Sequence, residues 1–394
     1  MATLTGGVIA ASNTDFNLLQ NSEEMTRDIM TTPIASILME HGCINYSPQG
    51  AIGKGRGDEA SLPNIPRLDA AGDDVALSTY GQASTLVGGT RKIRVDMLRK
   101  SVKTVKNGTI YKQRDSHNLL DSKWVKENLS AWYMNMYQLG FMYQGAGSTA
   151  TSRSVPLVRS TAFSGTVLNQ VSGMVAGIAP STIYTHYGSN ASLANPSAIT
   201  ATNALLTYQD LQLAVQNTDR SYAGVPIWNQ MDGDIRALLF VSRTGEMQLL
   251  NQARAAGADS TLSEFRYRII EGGRGKWNGL DGFVLPELGL KVITLRDDML
   301  PRAVHSGTEN ALSRTAIMVG KGAFDLAFGN AYPGTDKPSV NIKIDDKTFG
   351  NDDWDYITAQ AIFAIKKAQL PGFGANLANT YDAATYVIQH SAAS

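Results

Sequence analysis

The sequence is poor in cysteine and in charge, and it contains no long hydrophobic run. Its single cysteine, Cys43, excludes an internal disulfide and leaves no second thiol for a metal site. Charged residues make up 18% of the 394 residues, below the usual ~25%, which suits a protein that packs against copies of itself. The 35 basic and 35 acidic residues balance, which excludes an extended nucleic-acid-binding face.

Membrane and export signals are missing as well. No stretch of about 18 apolar residues occurs, so no membrane span is predicted. The opening residues, MATLTGGVIAASNTDFN, lack the basic start and apolar centre of a secretory signal. Together with the lone cysteine, this favours a reducing cytoplasm as the place of synthesis.

The motifs that mark catalytic or metal sites are also absent. The five histidines are scattered, and neither an HExxH nor a GxSxG pattern occurs. The glycine-rich stretches at 53–57 and 320–322 do not match a phosphate-binding loop, and the acidic residues at 345–355 lack the alternate spacing of a calcium loop. We therefore predict no catalytic residue, no cofactor and no metal, and a chain that is not an enzyme.

The first 90 or so residues have the character of an extended arm. Prolines and the GKGRG stretch interrupt it, and it has too little periodic apolar content to build its own core. One short helix is predicted from Pro33 to Met39. Two outcomes remain open at this point: a disordered tail, or an arm that becomes ordered only on neighbouring subunits.

The strongest helical signal covers residues 116–144, where apolar residues recur at steps of three and four. Further helices are predicted at 207–218, 244–256 and 263–269, with a short one starting at Ala323. Strands are predicted at 237–241, 290–295, 315–319 and 357–365. Because strands and helices do not alternate regularly, the predicted fold class is α+β rather than a doubly wound sheet.

Charge is separated along this neutral chain. Residues 91–114 carry nine basic residues and one acidic residue, a net charge of +8, and surround an Asn107-Gly108 hairpin signal. Residues 325–355 carry seven acidic and three basic residues, a net charge of −4. We expect the basic hairpin to project from the body and to contact the acidic region of an adjacent subunit. The candidate contact residues are Arg99, Lys100, Lys103, Lys106, Lys112, Asp345, Asp346, Asp352 and Asp353.

A series of blocks between about Thr32 and Leu370 resembles the major capsid proteins of tailed bacteriophages with the Hong Kong 97 type fold, and most closely their N-four-like family. The blocks, in order, are GKGRGDEASLPNIPRLDAAGDDV, RKIRVDMLRKSV, IYKQRDSHNLL, ENLSAWYMNMYQLGFMYQGAG, ALLFVSRTGEMQLLNQARAAG, KWNGLDGFVLPELGLKVITL, RTAIMVGKGAFDLAFG and DDWDYITAQAIFAIKKAQL.

The resemblance implies an N-terminal arm (1–75), an extended loop (76–114), a peripheral domain (115–147 and 346–394) and an axial domain (148–345). It further implies self-assembly into the hexamers and pentamers of an icosahedral head that encloses double-stranded DNA. Scaffolding protein, portal and a decoration or cement protein would be the other partners, with assembly in the host cytoplasm and no membrane.

Two alternatives stay open at this point. The first is a cellular nanocompartment shell protein of the same fold, which would enclose cargo instead of DNA. The second is a soluble enzyme whose residues converge only in three dimensions.

Overall fold

A computed structural model describes residues 33–46, 59–64, 89–94, 96–105, helical positions between 127 and 142, 185–187, 199–200, 203–219, 235–256, 262–272, 274–300, 302, 304–305, 308–328, 340–345, 354–371, 380–382 and 384–392. None of the helices in these ranges combines the length and the hydrophobicity that a membrane crossing requires.

The described helices are α1 (Pro33–Glu40), α2 (Tyr208–Asp219), α3 (Arg243–Ala255) and α4 (Ser263–Tyr267), and a π-helix (Arg268–Gly272) and a 3-10 turn (Pro286–Leu288) follow α4. The strands are β1 (Ile44–Tyr46), β2 (Glu59–Asn64), β3 (Gly89–Arg94), β4 (Asp96–Val105), β5 (Thr185–Tyr187), β6 (Ala237–Ser242), β7 (Arg274–Trp277), β8 (Leu280–Leu285), β9 (Leu290–Leu295), β10 (Val304–His305), β11 (Thr308–Glu309), β12 (Ser313–Val319), β13 (Phe324–Phe328), β14 (Val340–Asp345), β15 (Trp354–Lys367), β16 (Gln369–Pro371), β17 (Thr380–Asp382) and β18 (Thr385–Ser391).

A seven-stranded sheet has the order β5-β18-β12-β6-β9-β8-β7. Its central strands β6 and β9 run parallel, and every residue of both is buried. The sequences ALLFVS and LKVITL are nearly continuous apolar runs, as expected for strands that are covered on both faces.

Helix α3 follows β6 directly and packs against β6, β9 and β12. It begins after Ser242, whose Oγ accepts a hydrogen bond of 3.0 Å from the backbone N–H of Gly245. A Cβ on Gly245 would lie only 2.7 Å from a methyl of Val241. Glycine at this position therefore permits the close approach of the helix to the sheet.

Strands β7 and β8 form a hairpin at one end of this sheet, closed by the two-residue turn Asn278-Gly279. Both turn residues have positive φ, 48° and 83°, as a type I′ turn requires, and Asn-Gly is the preferred pair for it.

A five-stranded sheet is organised around the 14-residue strand β15. Strand β4 pairs antiparallel with residues 354–363 of β15, and β14 and β13 pair with β15 at residues 356–361 and 363–367. Because residue 363 pairs with both β4 and β13, those two strands lie on opposite edges of β15.

The long helix predicted at 116–144 is confirmed at its described positions between 127 and 142, all of which are helical. Tyr137 and Phe141 are fully buried and meet edge to face at 5.1 Å between ring centroids. Phe141 in turn meets Phe324 of β13 at 5.3 Å, also edge to face. Each such pair stabilises the fold by about 0.5–1.5 kcal/mol beyond the burial of its area, so these aromatics attach the helix to the five-stranded sheet.

The N-terminal segment 33–46 packs on the chain's own body. Ile34, Ile37 and Leu38 of α1 are fully buried, and β1 pairs parallel with β13. The Nδ2 of Asn45 donates to the backbone carbonyl of Gly322, at 3.0 Å. The helix predicted at 33–39 is confirmed. Neither a disordered tail nor an arm ordered only by neighbouring subunits describes residues 33–46, because four of the eight helical residues are apolar and buried on the chain's own body.

The short helix expected from Ala323 is also wrong, because residues 324–328 form strand β13. In Phe324-Asp-Leu-Ala-Phe328, large apolar residues recur at every second position, which is the period of a strand.

The expected boundary between the axial and peripheral domains at residue 345 does not coincide with the division between the two sheets. Strand β18 joins the seven-stranded sheet, between β5 and β12, whereas β13 and β14 join the five-stranded sheet with β15. Likewise, β2 pairs with β3, which connects residues on either side of the arm boundary expected at residue 75.

Candidate functional site

The structure places four of the nine predicted contact residues. Arg99, Lys100 and Lys103 lie on β4, and Asp345 is the last residue of β14. The remaining five, Lys106, Lys112, Asp346, Asp352 and Asp353, lie outside the described residues.

Strand β15 separates the basic strand from the acidic one. In register, Lys103 pairs with Tyr356, and Tyr356 pairs on its other side with Asp345. Directly paired positions share one face of a sheet, and two strand spacings amount to about 10 Å. In the backbone register, Lys103 and Asp345 are therefore aligned with the same residue of β15, two strand spacings apart, within a single chain.

This arrangement corrects the expectation that the whole basic segment projects from the body. Over residues 96–105 the segment is a paired strand of the five-stranded sheet. The reason is visible in the register, where Leu98 and Val102 are paired with Ala361 and Ile357. Two apolar cross-strand pairs of this kind favour strand pairing in a segment that is otherwise rich in charge. The Asn107-Gly108 turn lies outside the described residues.

Strand β4 also forms an edge. Within the described part of the chain, β15 is its one strand partner. An edge strand presents unpaired backbone groups that another chain can pair with, and lysines on it discourage indiscriminate pairing. The described strand β4 is thus an edge of ten consecutive residues, three of which are basic.

A second charged cluster, at the start of α3, was not predicted. The buried carboxylate of Glu246 accepts hydrogen bonds from Arg243, at 2.9 Å, and from Arg274 of β7. The Arg243–Glu246 spacing of three residues on a helix is a sequence signal that could have suggested the first pair. The second pair joins positions 28 residues apart, and no local pattern indicates it.

Asp297 binds the N-terminus of the same helix. Its carboxylate accepts hydrogen bonds from the backbone N–H and the hydroxyl of Thr244, at 3.1 and 2.6 Å, and one from Arg314. Partial burial opposes ionisation of this carboxyl, but the bonds from Thr244 and the charge of Arg314 outweigh it and lower the pKa of Asp297. The ionised form also favours the positive end of the α3 dipole.

His390 is a buried imidazole on β18, under the first turn of α3. Its Nδ1 lies 3.0 Å from the carbonyl oxygen of Ser391, which also accepts from Gln248. Burial lowers the pKa of His390 to about 4, because the charged form would lose its hydration. The ring is therefore neutral near pH 7 and serves packing.

A buried lysine links the N-terminal segment to the seven-stranded sheet. The Nζ of Lys291, on β9, lies 3.0 Å from Nε2 of His41 and 4.8 Å from the centroid of the Trp277 ring. The position of Lys291 over the Trp277 ring is a cation–π contact. Residues 33–46 thereby contact both sheets, through β1 on one side and His41 on the other.

Within the described ranges, no three His, Cys, Asp or Glu side chains come together as a metal-binding group. Burial raises the pKa of Cys43 far above its usual value, so its thiol is not activated as a nucleophile.

The comparisons of sequence and the comparison of structure give different results for this chain. No protein-family model matches the sequence, and no curated protein matches it. Solved structures do match: the capsid of Ralstonia phage GP4 has 16% sequence identity and a TM-score of 0.57, and the match covers 91% of this chain and 89% of that one.

The capsid of cyanophage Pam1 has 14% identity and a TM-score of 0.52 over 89% and 88% of the two chains. The head protein of Helicobacter pylori bacteriophage KHP40 has 9% identity and a TM-score of 0.50 over 91% of each chain. Three phages of different hosts thus share the architecture of this chain at identities too low for a family assignment. The chain has the Hong Kong 97 type fold of tailed-phage capsid proteins, in the α+β class that the sequence predicts.

Proposed function

We propose that this chain is the major capsid protein of a tailed bacteriophage, which self-assembles into the hexamers and pentamers of an icosahedral head around double-stranded DNA. The observation that supports this most strongly is a fold match over about nine-tenths of both chains to two phage capsids. The proposal gives the protein a structural role in the virion and no catalytic activity.

The two sheets suggest revised domain limits. The five-stranded sheet and the helix at 127–142 would form the peripheral domain, and the seven-stranded sheet with α2 to α4 would form the axial domain. The paired strands β2 and β3 would belong to the extended loop, because they precede β4 in the chain and pair with each other. Scaffolding protein, portal and a decoration or cement protein are the other proposed partners.

The proposal is tested by the size and shape of the purified protein. Expressed alone or with the scaffolding protein of its phage, it should elute in the void volume of a gel-filtration column and appear as closed shells in negative stain. Particles recovered from a phage lysate should protect a long DNA from nuclease. Shells with protein cargo and no genome would instead indicate a nanocompartment, and a monomer at every concentration would contradict any shell.

The nine charged positions are proposed as an inter-subunit contact, with the basic strand and loop of one subunit against the acidic region of the next. The edge position of β4 supports this, because its unpaired side is where another molecule can approach. The double variant Lys103→Glu/Lys106→Glu should lower the yield of shells at low salt. A matched variant, Arg254→Glu/Lys321→Glu, reverses two cations elsewhere.

Charge exchange makes this test specific. Adding Asp352→Lys/Asp353→Lys to the first double variant should restore shells if the two regions meet, and the defect should shrink above about 0.1 M salt, where charges more than ~10 Å apart are screened. Since Lys103 and Asp345 lie one strand apart in the same chain, the melting temperature of unassembled subunits must be unchanged. Equal shell yields for all variants would contradict the contact.

A further inference from the structure

An open cavity of about 360 Å³ lies where the β7–β8 hairpin meets the start of α3. It is lined by Arg243, Arg274, Gly275, Lys276, Asp281 and Gly282. Three of its six lining residues are cationic and one is anionic, so the wall carries an excess of positive charge.

The two arginines are held in place from behind. Glu246 is 1% exposed and accepts a hydrogen bond from each guanidinium, one on each carboxylate oxygen. Arg243 and Arg274 themselves remain 58% and 48% exposed. A guanidinium has five N–H donors, and Glu246 is the one ion-pair partner of each in the described part of the chain, so most of these donors stay available on the cavity side.

The third cation is less constrained. Lys276 is 78% exposed, and its Nζ lies 4.0 Å from a carboxylate oxygen of Asp281, which is itself 58% exposed. An exposed pair at that separation contributes little to stability. The ammonium can therefore turn to a ligand at small cost.

Two glycines of the hairpin line the cavity. Gly275 and Gly282 are paired across the hairpin, and a Cβ on Gly282 would overlap the carbonyl oxygen of Val292 on the next strand. Glycine at 282 therefore permits the close approach of the hairpin to β9, and both positions contribute only backbone to the cavity wall. Since β7 is the terminal strand of its sheet, nothing among the described strands covers that side.

We propose that this cavity binds a small oxyanion of the phosphate or carboxylate type. Paired, pre-positioned guanidinium groups fit the geometry of such anions and hold them through parallel charge-assisted hydrogen bonds. With Glu246 and Asp281 counted, the site has a net charge of +1, which suits one anionic group. A nucleic-acid backbone needs a continuous basic track, and the neutral chain does not provide the excess for one.

The test uses the full chain as unassembled subunits and inorganic phosphate as the probe. Phosphate should raise Tm by about 2 °C or more over sodium chloride of equal ionic strength. The variant Lys276→Gln should weaken phosphate binding about tenfold by calorimetry. The control Lys321→Gln changes an exposed lysine that does not line the cavity, and this variant should bind phosphate as wild type does. Lys276 is exposed and its loss leaves Glu246 paired, so the variant should fold.

Two outcomes would overturn the proposal: equal stabilisation by phosphate and chloride, or equal phosphate binding by wild type and Lys276→Gln. A separate comparison of unassembled subunits with assembled particles identifies the source of the anion. Phosphate that stabilises both subunits and assembled particles indicates a free ion as ligand. Phosphate that stabilises subunits but not particles indicates that a carboxylate of a second copy occupies the site after assembly. The test of phosphate binding by unassembled subunits does not depend on the capsid proposal.

Discussion

The buried imidazole of His390 makes a quantitative prediction about acid stability. In the folded chain its pKa is lowered from 6.5 to about 4 by burial, whereas in the unfolded chain it titrates near its ordinary value. Between these two values the unfolded state binds the proton and the folded state does not. Stability is therefore complete above about pH 6.5 and falls as the pH drops toward 4.

The size of the loss follows from the shift. One unit of pKa corresponds to about 1.4 kcal/mol, so this group alone should cost about 1.4 kcal/mol at pH 5.5 and about 2.6 kcal/mol at pH 4.5. His390 has no exposed surface, so solvent does not screen the effect. The loss is a large fraction of the 5–15 kcal/mol that typically stabilises a domain.

The perturbation that isolates this group is His390→Asn. Asparagine keeps an N–H near the Nδ1 position, within reach of the Ser391 carbonyl, but does not titrate. Denaturant unfolding of unassembled subunits would be followed between about pH 7.5 and 4.5. The variant should be less stable than wild type near pH 7, because it leaves a small cavity, and the difference should shrink by about 2.6 kcal/mol at the acid end.

Carboxylates shared by both proteins contribute equally to the two curves and cancel in the difference. Parallel curves for wild type and His390→Asn would refute the reasoning, since they would mean that the imidazole titrates alike in both states. A difference that grows toward acid would mean that the protonated ring has a partner in the fold.

Three further substitutions test the packing described above by denaturant unfolding. Gly282→Ala should cost about 3 kcal/mol or more, because the new methyl overlaps the Val292 carbonyl, whereas an unchanged midpoint would show that the hairpin can shift freely. Phe141→Ala should cost about 3–5 kcal/mol, and Phe141→Leu clearly less; equal losses would argue against the aromatic contact to the sheet. Asp297→Asn should cost about 1 kcal/mol near pH 7 and nothing once the wild-type carboxyl is protonated in acid, and a pH-independent loss would contradict a stabilising charge.

Local elements were largely predictable because their signals are local. The apolar runs at 237–241 and 290–295 and the alternating residues 357–365 all became strands, with limits within three residues of those expected. Helix α3, predicted at 244–256, spans Arg243–Ala255. In each case the residues that decide the element lie within it.

The hairpin signals show what a local turn signal leaves undetermined. The Asn-Gly pair at 107–108 lies outside the described residues, and it gives no indication that the strand before it pairs with β15, about 250 residues away in sequence. The Asn-Gly rule applied to Asn278-Gly279 would have found the β7–β8 turn. An Asn-Gly pair indicates where the chain can reverse direction. Which strands then pair depends on the apolar faces that they present to the rest of the fold.

The charged sites were predictable in kind but not in place. Concentrations of charge at 91–114 and 325–355 were visible along the sequence, but their alignment across β15 is a property of sheet register. The cavity beside Glu246 depends on Arg243 and Arg274, which belong to different elements. Arg243 and Arg274 meet at Glu246 only because the fold places α3 beside the β7–β8 hairpin. No periodic pattern in the sequence predicts that placement.

The position of β18 has a consequence for how the chain can be made. This strand, Thr385–Ser391, is inserted between β5 and β12 and pairs along its whole length with β12. Until residues 385–391 have emerged from the ribosome, the edges of β5 and β12 that pair with β18 have no strand partner from β18, and their backbone N–H and C=O groups on those edges are unpaired. Chains that terminate before this point would keep these two strand edges unpaired, and a strand of another chain could pair with them. Premature termination should therefore give aggregates rather than shorter soluble subunits.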